Sequence, residues 1–111
     1  MSKIGTLKLT GESGQTYAFD VYRSDANFND DIACVYYVSK RTEKQDGTGD
    51  HKAIYVGETE DLADRFSNHH KQTCFDDQDY NAISIHKESS EDRRTEIEAD
   101  LIEAINPPCN G

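Results

Sequence analysis

The stretch AIYVGETEDLADRF, residues 53–66, joins two different kinds of secondary structure around a single glycine. Its first five residues, AIYVG, form a short apolar run with β-branched and aromatic side chains, which predicts a buried strand ending at Gly57. Thr59 then stands where a helix N-cap is expected, with acids in the first turn and basic residues near the end. The sequence therefore predicts a strand followed by a helix over residues 60–72.

Further strands are predicted on both sides of this stretch. Residues 4–22 alternate apolar and polar side chains around the turn-forming GESGQ, which predicts a β-hairpin. Residues 32–40, IACVYYVSK, are a continuous apolar run, and residues 80–88, YNAISIHKE, alternate; both are predicted to be core strands. The hydrophilic residues 41–52 predict a mobile surface loop.

The C-terminal segment predicts a helix that begins after Ser89 or Ser90 and is ended by Pro107 and Pro108. At about 100° per residue, Glu98 falls at the centre of its apolar face. The residues of that face are Ile97, Leu101, Ile102 and Ile105. Because glutamate is almost never fully buried unless it is paired or coordinating, Glu98 is expected to hold a partner or a ligand.

Length and composition predict one folded domain, residues 1–111, with an acidic surface. The 111 residues suffice for a single modest core. Hydrophobic residues make up 34% and charged residues 31%, and 22 Asp and Glu against 12 Lys and Arg give a net charge of −10. Because phosphate backbones repel such a chain on average, composition alone argues against nucleic-acid binding.

The cysteines and the hydropathy pattern predict a reduced, cytoplasmic protein. Cys34, Cys74 and Cys109 are an odd number without a C-x-x-C pair or zinc-ligand spacing. Residues 1–14 contain no apolar signal region, and no apolar run approaches membrane-spanning length. We therefore expect neither secretion nor a membrane partner.

The first predicted helix carries basic residues on its apolar face. Leu62 and Phe66 define that face, and Arg65 and His69 lie within about 60° of Leu62. Taken singly, Arg65 could snorkel along the edge of the core, and His69 could be a satisfied, partly buried histidine. Glu98 could equally be the partner of Arg65 in a structural ion pair.

The basic residues of this helix, together with Glu98 and two strand tyrosines, have the chemical groups that phosphoryl transfer uses. Two strand tyrosines, an arginine, a histidine and a glutamate are predicted to face one side of the sheet: Tyr36, Tyr55, Arg65, His69 and Glu98. In phosphoryl transfer a carboxylate holds a divalent cation, a tyrosine or histidine handles the proton of the attacking water, and a guanidinium stabilises phosphate charge. No Gly-rich phosphate loop or H-E-x-x-H zinc motif offers a competing interpretation.

The two strands resemble the signatures of the GIY-YIG endonuclease domain. Cys34-Val35-Tyr36 is similar to the first signature, with Cys34 where glycine is usual, and Tyr55-Val56-Gly57 is similar to the second. Glu58 follows at a position where the repair-nuclease branch has a lysine.

Both helices extend the resemblance, which runs from about residue 33 to residue 110. Leu62 and Arg65 stand five and eight positions after the signature glycine, as in the family, and His69 falls where some restriction-type members carry a histidine. The last helix matches E-x-x-L-I followed by proline and asparagine, through Glu98, Leu101, Ile102, Pro107 and Asn110.

The resemblance implies an α+β fold with a small central three-stranded antiparallel sheet flanked by helices. Residues 33–110 would be the nuclease core. The hairpin at residues 4–22 would be an N-terminal extension.

The resemblance also implies a metal-dependent endonuclease that hydrolyses DNA in repair, recombination or restriction. Glu98 would bind Mg²⁺ or Mn²⁺ largely through waters. Tyr36, helped by His69 or Tyr55, would orient or deprotonate the attacking water, and which of the three is the base stays open. Arg65 would neutralise phosphate charge. Lys71 and Asn110 complete the predicted set as substrate-binding residues, and Asn110 would hold the end of the last helix against the site.

Two other classes of function compete with this prediction. One is a catalytically weak or inactive interaction protein with the nuclease fold, whose acidic surface binds a basic protein partner. The other is a purely structural domain with an Arg65–Glu98 ion pair. For the nuclease itself, the shortage of basic residues predicts that a basic partner or a homodimer supplies the missing DNA contacts.

Overall fold

The computed structural model describes residues 3–110, which form one antiparallel sheet with helices on both of its faces. The strands are β1 (Lys3–Thr10), β2 (Thr16–Arg23), β3 (Cys34–Glu43), β4 (Gly49–Thr59) and β5 (Ala82–Lys87). The helices are α1 (Leu62–Ser67), α2 (Gln72–Asp77) and α3 (Glu91–Ile105), and a 3₁₀ turn follows at Pro108–Asn110.

The sheet has five strands in the order β1-β2-β5-β3-β4 and curves into a half-barrel. The predicted small three-stranded sheet is therefore wrong, although the α+β class holds. The hairpin of β1 and β2 is present, but it is part of the sheet because β2 pairs with β5 from Asp20–Ile85 to Arg23–Ala82. The sheet is larger than predicted because β5 is an interior strand. Its residues 82–85 are all buried, and it pairs with β2 along one edge and with β3 along the other.

Two apolar clusters cover the two faces of the sheet. The cluster on the side of α1 and α2 contains Tyr22, Cys34, Tyr36, Val38, Ile54, Tyr55, Leu62, Phe75, Ile83, Ile85 and Cys109. The cluster on the side of α3 contains Tyr17, Phe19, Val35, Tyr37, Val56, Ile97 and Leu101. Successive residues of β3 alternate between the clusters, as the two-residue period of a strand requires.

The predicted mobile loop at residues 41–52 is wrong. β3 and β4 continue through most of it as a regular ladder from Ser39–Ala53 to Glu43–Gly49, leaving only a short turn. Nearer the centre of the sheet, Ile54 has no partner on β3, and this bulge puts both Ile54 and Tyr55 into the same apolar cluster.

The predicted single helix over residues 60–72 is also wrong, because the chain leaves the helix at Asn68 and starts α2 at Gln72. Asp61, and not Thr59, is the N-cap of α1, its side chain accepting from the backbone of Asp64. Helices of six residues are not stable alone. Each is held by one fully buried side chain, Leu62 in α1 and Phe75 in α2, and each such burial contributes about 2–3 kcal/mol.

The last helix agrees with its prediction. Ser90 is the N-cap, and its hydroxyl accepts from the backbone of Arg93. The helix ends at Ile105, ahead of the two prolines, and Asn106 adopts the left-handed conformation with φ 50°.

The expectation of three reduced cysteines is wrong, since Cys74 of α2 and Cys109 of the 3₁₀ turn form a disulfide. Cys34 keeps a free thiol that is fully buried. Burial raises its pKa to about 12, which leaves it protonated and unreactive. Among residues 3–110, no helix is long and apolar enough to cross a bilayer.

One carboxylate ties the β1–β2 turn to the last helix. Asp100 accepts from the Ser13 backbone amide at 2.8 Å, from the Ser13 hydroxyl at 2.7 Å and from the Tyr17 hydroxyl at 2.8 Å. The Ser13 hydroxyl and amide, followed by the Tyr17 hydroxyl, hold the pKa of Asp100 below its usual range. The ionised form therefore joins the hairpin to the rest of the fold.

This contact predicts an acid-sensitive stability. A carboxyl group whose pKa is lower in the folded chain contributes stability above its unfolded pKa, about 4, and the contribution is lost as pH falls through the folded pKa. We expect the urea midpoint to fall between about pH 6 and about pH 3, and Asp100→Asn to remove part of that fall. Glu103→Gln, which changes an exposed acid of the same helix, is the matched control. Identical pH dependence of Asp100→Asn and wild type would contradict the assignment.

Candidate active site

Tyr36 occupies the centre of the sheet and is completely buried. β3 is bonded to β4 on one side and to β5 on the other, and Gly57 is the partner of Tyr36 across the first of these ladders. A Cβ atom at Gly57 would overlap the ring and the hydroxyl of Tyr36 and the ring of Tyr55. The glycine is therefore required by close packing, and it lets the two tyrosines lie with ring centroids 6.0 Å apart.

The Tyr36 hydroxyl is satisfied by His69, which lies in the break between α1 and α2. Its oxygen is 2.7 Å from Nε2 of His69, and the histidine is only 5% exposed. The other ring nitrogen, Nδ1, accepts a hydrogen bond from the backbone amide of Lys71 at 3.0 Å. An accepting Nδ1 carries no proton, so the neutral ring is protonated at Nε2 and donates to Tyr36.

The protonation of both groups follows from burial. Burial, and then the neighbouring His70, Arg65 and Lys71, lower the pKa of His69 to about 4, so the ring is neutral at pH 7. Burial also raises the pKa of Tyr36 strongly, and Tyr55 and Glu98 add to this while Arg65 opposes it. Tyr36 is therefore a neutral phenol whose own proton remains available to a further acceptor.

Arg65 and Glu98 lie close enough to the tyrosines to influence their charge. Burial raises the pKa of Tyr55, and the carboxylate of Glu98 raises it further while Arg65 lowers it. Both Arg65 and Glu98 are only partly buried. The ion pairs found within residues 3–110 do not include one between Arg65 and Glu98, so the contact required by a purely structural interpretation is missing there.

The surroundings of Glu98 raise the pKa of its carboxyl group and so favour the protonated, neutral form. Burial raises its pKa, the charge of Glu58 raises it further, and the backbone amide of Glu58 and the charge of Arg65 work in the opposite direction. Within residues 3–110, no group of three or more His, Cys, Asp and Glu side chains is arranged to hold a metal ion. Glu98 could therefore give a divalent cation only one of the six or more oxygen ligands that such an ion takes.

Sequence reasoning missed the ion pair beside Glu98. The Nε of Arg94 donates to the Glu58 carboxylate at 2.9 Å, and its Nη1 donates to the carbonyls of Glu88 and Ser89 at 3.1 and 2.9 Å. The side chain of Arg94 is 5% exposed and that of Glu58 is 24% exposed. The signal was present in the sequence, because Arg94 stands one turn before Glu98 on the same helix face.

An acidic cleft of about 560 Å³ opens beside these residues. It is lined by Asp31, Glu58, Thr59, Glu60, Asp61, Asp64, Arg65, Glu91 and Arg94. The cleft thus carries six carboxylates and two guanidinium groups, and one of the two guanidinium groups is already paired with Glu58. Its electrostatic field favours cations.

The two predicted substrate-binding residues, Asn110 and Lys71, lie in different parts of the structure. The side-chain amide of Asn110 pairs with the backbone of Val56, accepting from its N–H and donating to its C=O, both at 2.9 Å. Asn110 therefore holds the 3₁₀ turn against β4 between Tyr55 and Gly57. Lys71 is partly buried next to His69 and does not line the cleft.

Comparisons with protein-family models, with curated proteins and with solved structures find no match to this chain. What the arrangement can do must therefore be argued from its own geometry. The structure brings together Tyr36, Tyr55 and His69 in direct contact, with Arg65 and Glu98 near them.

The hydrogen bonds of His69 predict its tautomer. At about pH 7, nitrogen-15 NMR of the histidine side chains should show His69 protonated at Nε2 and unprotonated at Nδ1. His86 is an internal control with the opposite tautomer. Its Nδ1 is 2.8 Å from the carbonyl oxygen of Ala18 and must therefore carry the proton. An Nδ1-protonated His69 would contradict the geometry.

The Arg94–Glu58 pair predicts a strongly non-additive pair of substitutions. Arg94→Met should destabilise the fold by about 3 kcal/mol, near the lower end for breaking a buried pair because Glu58 retains some exposure. Glu58→Gln added to Arg94→Met should recover much of this loss, since it removes the charge left without a partner. Urea denaturation of the single and double variants measures both effects. Additive losses would show that the two side chains do not stabilise each other.

Proposed function

We propose that this protein is a GIY-YIG-type endonuclease that hydrolyses DNA phosphodiester bonds with the help of Mg²⁺ or Mn²⁺. The observation that carries the proposal is the buried hydrogen bond between Tyr36 and His69, with Arg65 and Glu98 at its side. These four side chains supply the group types that phosphodiester hydrolysis uses: a proton-handling pair, a cation for phosphate charge and a carboxylate for a metal ion. We propose a cytoplasmic location as well.

The geometry favours Tyr36 over His69 as the group that handles the attacking water. Nδ1 of His69 accepts a hydrogen bond from the backbone amide of Lys71, so the proton of the ring is on Nε2 and points at the Tyr36 oxygen. His69 therefore has no free lone pair there to take a proton from water. Tyr36, as a neutral phenol, would orient the attacking water by donating its hydroxyl proton in a hydrogen bond to the water oxygen. The bound cation would lower the pKa of that water, whose proton would pass to solvent, while the Nε2–H of His69 would hold the Tyr36 hydroxyl in position.

The remaining residues supply charge and position. Arg65 lines the cleft and would stabilise the negative charge that develops on the scissile phosphate. Glu98 would hold the divalent cation, which supplies positive charge to the phosphate and lowers the pKa of bound water. Tyr55, beside Tyr36 and the ring of His69, would pack against the phenol and keep its orientation.

The acidic cleft favours a second candidate function. Six carboxylates around one unpaired guanidinium repel a polyanion and attract a basic protein segment. A nuclease with this cleft would depend on divalent cations or a basic partner to approach DNA, whether that partner is another protein or a second copy of the chain. An inactive interaction protein would bind the basic partner without any cleavage.

Cleavage of supercoiled plasmid distinguishes the two functions. Pure protein with Mg²⁺ or Mn²⁺ should nick the plasmid, and Glu98→Gln should abolish nicking without lowering the melting temperature, because a partly buried charge is removed. Tyr36→Phe should reduce the rate by about 10²–10⁴-fold. Glu96→Gln changes an exposed acid of the same helix and should leave the rate unchanged.

Specific outcomes would overturn the proposal. Equal nicking by Glu98→Gln and wild type would show that a contaminant cleaves the plasmid. Absence of nicking with either cation, together with binding of a polylysine peptide that Glu60→Lys weakens, would favour the interaction protein.

A further inference from the structure

The disulfide joins two segments that contact the candidate site from different sides. Cys74 belongs to α2, and Cys109 to the 3₁₀ turn that follows the last helix. The two cysteines are separated by 35 positions, and β5 and α3 lie between them in the chain. The bridge is thus a direct connection between parts that the sheet itself does not join.

α2 supports the histidine and the second tyrosine. The ring of Phe75 lies 4.7 Å from His69 and 5.4 Å from Tyr55 between centroids. Phe75 is the one buried residue of this six-residue helix, and its N-cap, Lys71, makes no side-chain capping bond. Apart from the Phe75 ring and a hydrogen bond from Gln72 to the Tyr80 hydroxyl at 3.1 Å, the disulfide is the covalent tether of a helix too short to be stable alone.

The 3₁₀ turn supports β4 at the same place. Cys109 is 1% exposed, and the next residue, Asn110, is bonded to both backbone groups of Val56. Val56 lies between Tyr55 and Gly57, the two residues that pack against Tyr36. A displacement of the turn would therefore break the hydrogen bonds to Val56, the residue between Tyr55 and Gly57.

We propose that the Cys74–Cys109 disulfide is a redox-controlled latch. Reduction releases α2 and the 3₁₀ turn from each other, loosens Asn110 from Val56 and Phe75 from His69, and so switches the site off, while the sheet stays folded. The loss of activity rests on the proposed nuclease function. The structural coupling between the bridge and Val56 does not depend on it.

The chemistry is a two-electron exchange with a dithiol. A thiolate of the dithiol attacks Sγ of Cys74, which is more exposed than Cys109, the Sγ–Sγ bond breaks, and Cys109 leaves as a thiolate that takes up a proton. The second thiolate of the reductant then attacks the mixed disulfide. Cys74 is released as a thiol, and the reductant ends as a cyclic disulfide. Cytosolic disulfides, where they occur, are typically transient and redox-sensing, which fits a bridge that opens and closes in the proposed cytoplasmic location.

Hydrogen exchange of the full chain tests the coupling directly. Oxidised protein and protein treated with dithiothreitol are compared after mass spectrometry has counted the free thiols. Reduction should speed exchange of the Val56 amide at least about tenfold and leave the amides of the central strand β5 within about twofold. Cys34→Ala keeps the bridge and should respond like wild type. Cys74→Ser should exchange rapidly at Val56 with or without reductant.

Plasmid nicking supplies the functional arm of the test. The rate should fall at least about tenfold on reduction and recover on reoxidation, in wild type and in Cys34→Ala. If oxidised protein does not nick at all, the proposed nuclease function fails and the exchange data alone decide the latch.

Several results would overturn the latch. One is an unchanged Val56 exchange rate although two additional thiols have appeared. Another is a bridge that dithiothreitol does not open. A third is equally accelerated exchange in β5, which would show that the bridge holds the whole fold together and has no local effect. Should Cys74→Ser fail to fold, reduction of wild type gives the same comparison.

Discussion

The ring of Tyr36 lies over Gly57, and the arrangement of the whole site follows from this contact. β3 is bonded along both edges, so the tyrosine that it carries is buried and its hydroxyl needs a partner inside the protein. His69 provides that partner only by leaving the helix, which divides the expected long helix into two short ones. The second short helix then needs Phe75 and a covalent bond to stay in place. The close contact at Gly57 is thus connected, through Tyr36 and His69, to the break between α1 and α2.

Three ionisable residues of α3 have different roles because their surroundings differ. Arg94 is buried and donates hydrogen bonds to Glu58 and to two backbone carbonyls, so it stabilises the fold. Asp100 is bonded to the hairpin at the surface. Glu98, between them in sequence, is partly buried and has no side-chain partner in the described part of the chain, an arrangement that stability alone does not explain.

Local patterns predict some elements and fail at others, such as the loop at 41–52 and the single helix at 60–72. Alternation locates the β1–β2 hairpin and apolar runs locate the centres of β3, β4 and β5, because these features depend on neighbours in sequence. Ser90 is the cap of the last helix, one of the two residues expected there, Ser89 or Ser90. The pairing of β2 with β5 could not be predicted, since a buried strand does not specify which strand lies beside it. The Cys74–Cys109 bridge escaped for the same reason. Within the site, periodicity brought Tyr36, His69, Arg65 and Glu98 to one region, but it did not show the orientation of the imidazole, which depends on the amide of Lys71.

The hydrogen bonds of Asn110 also affect whether the outer strand of the sheet can pair with a strand of another molecule. β4 is an outer strand, and its exposed backbone could recruit a strand from another molecule. The side-chain amide of Asn110 presents one donor and one acceptor to Val56, as the backbone of an additional strand would. It therefore imitates a single residue of a sixth strand. The edge is closed at its most apolar point by one side chain, and growth of the sheet into a filament is blocked there without the need for a further strand.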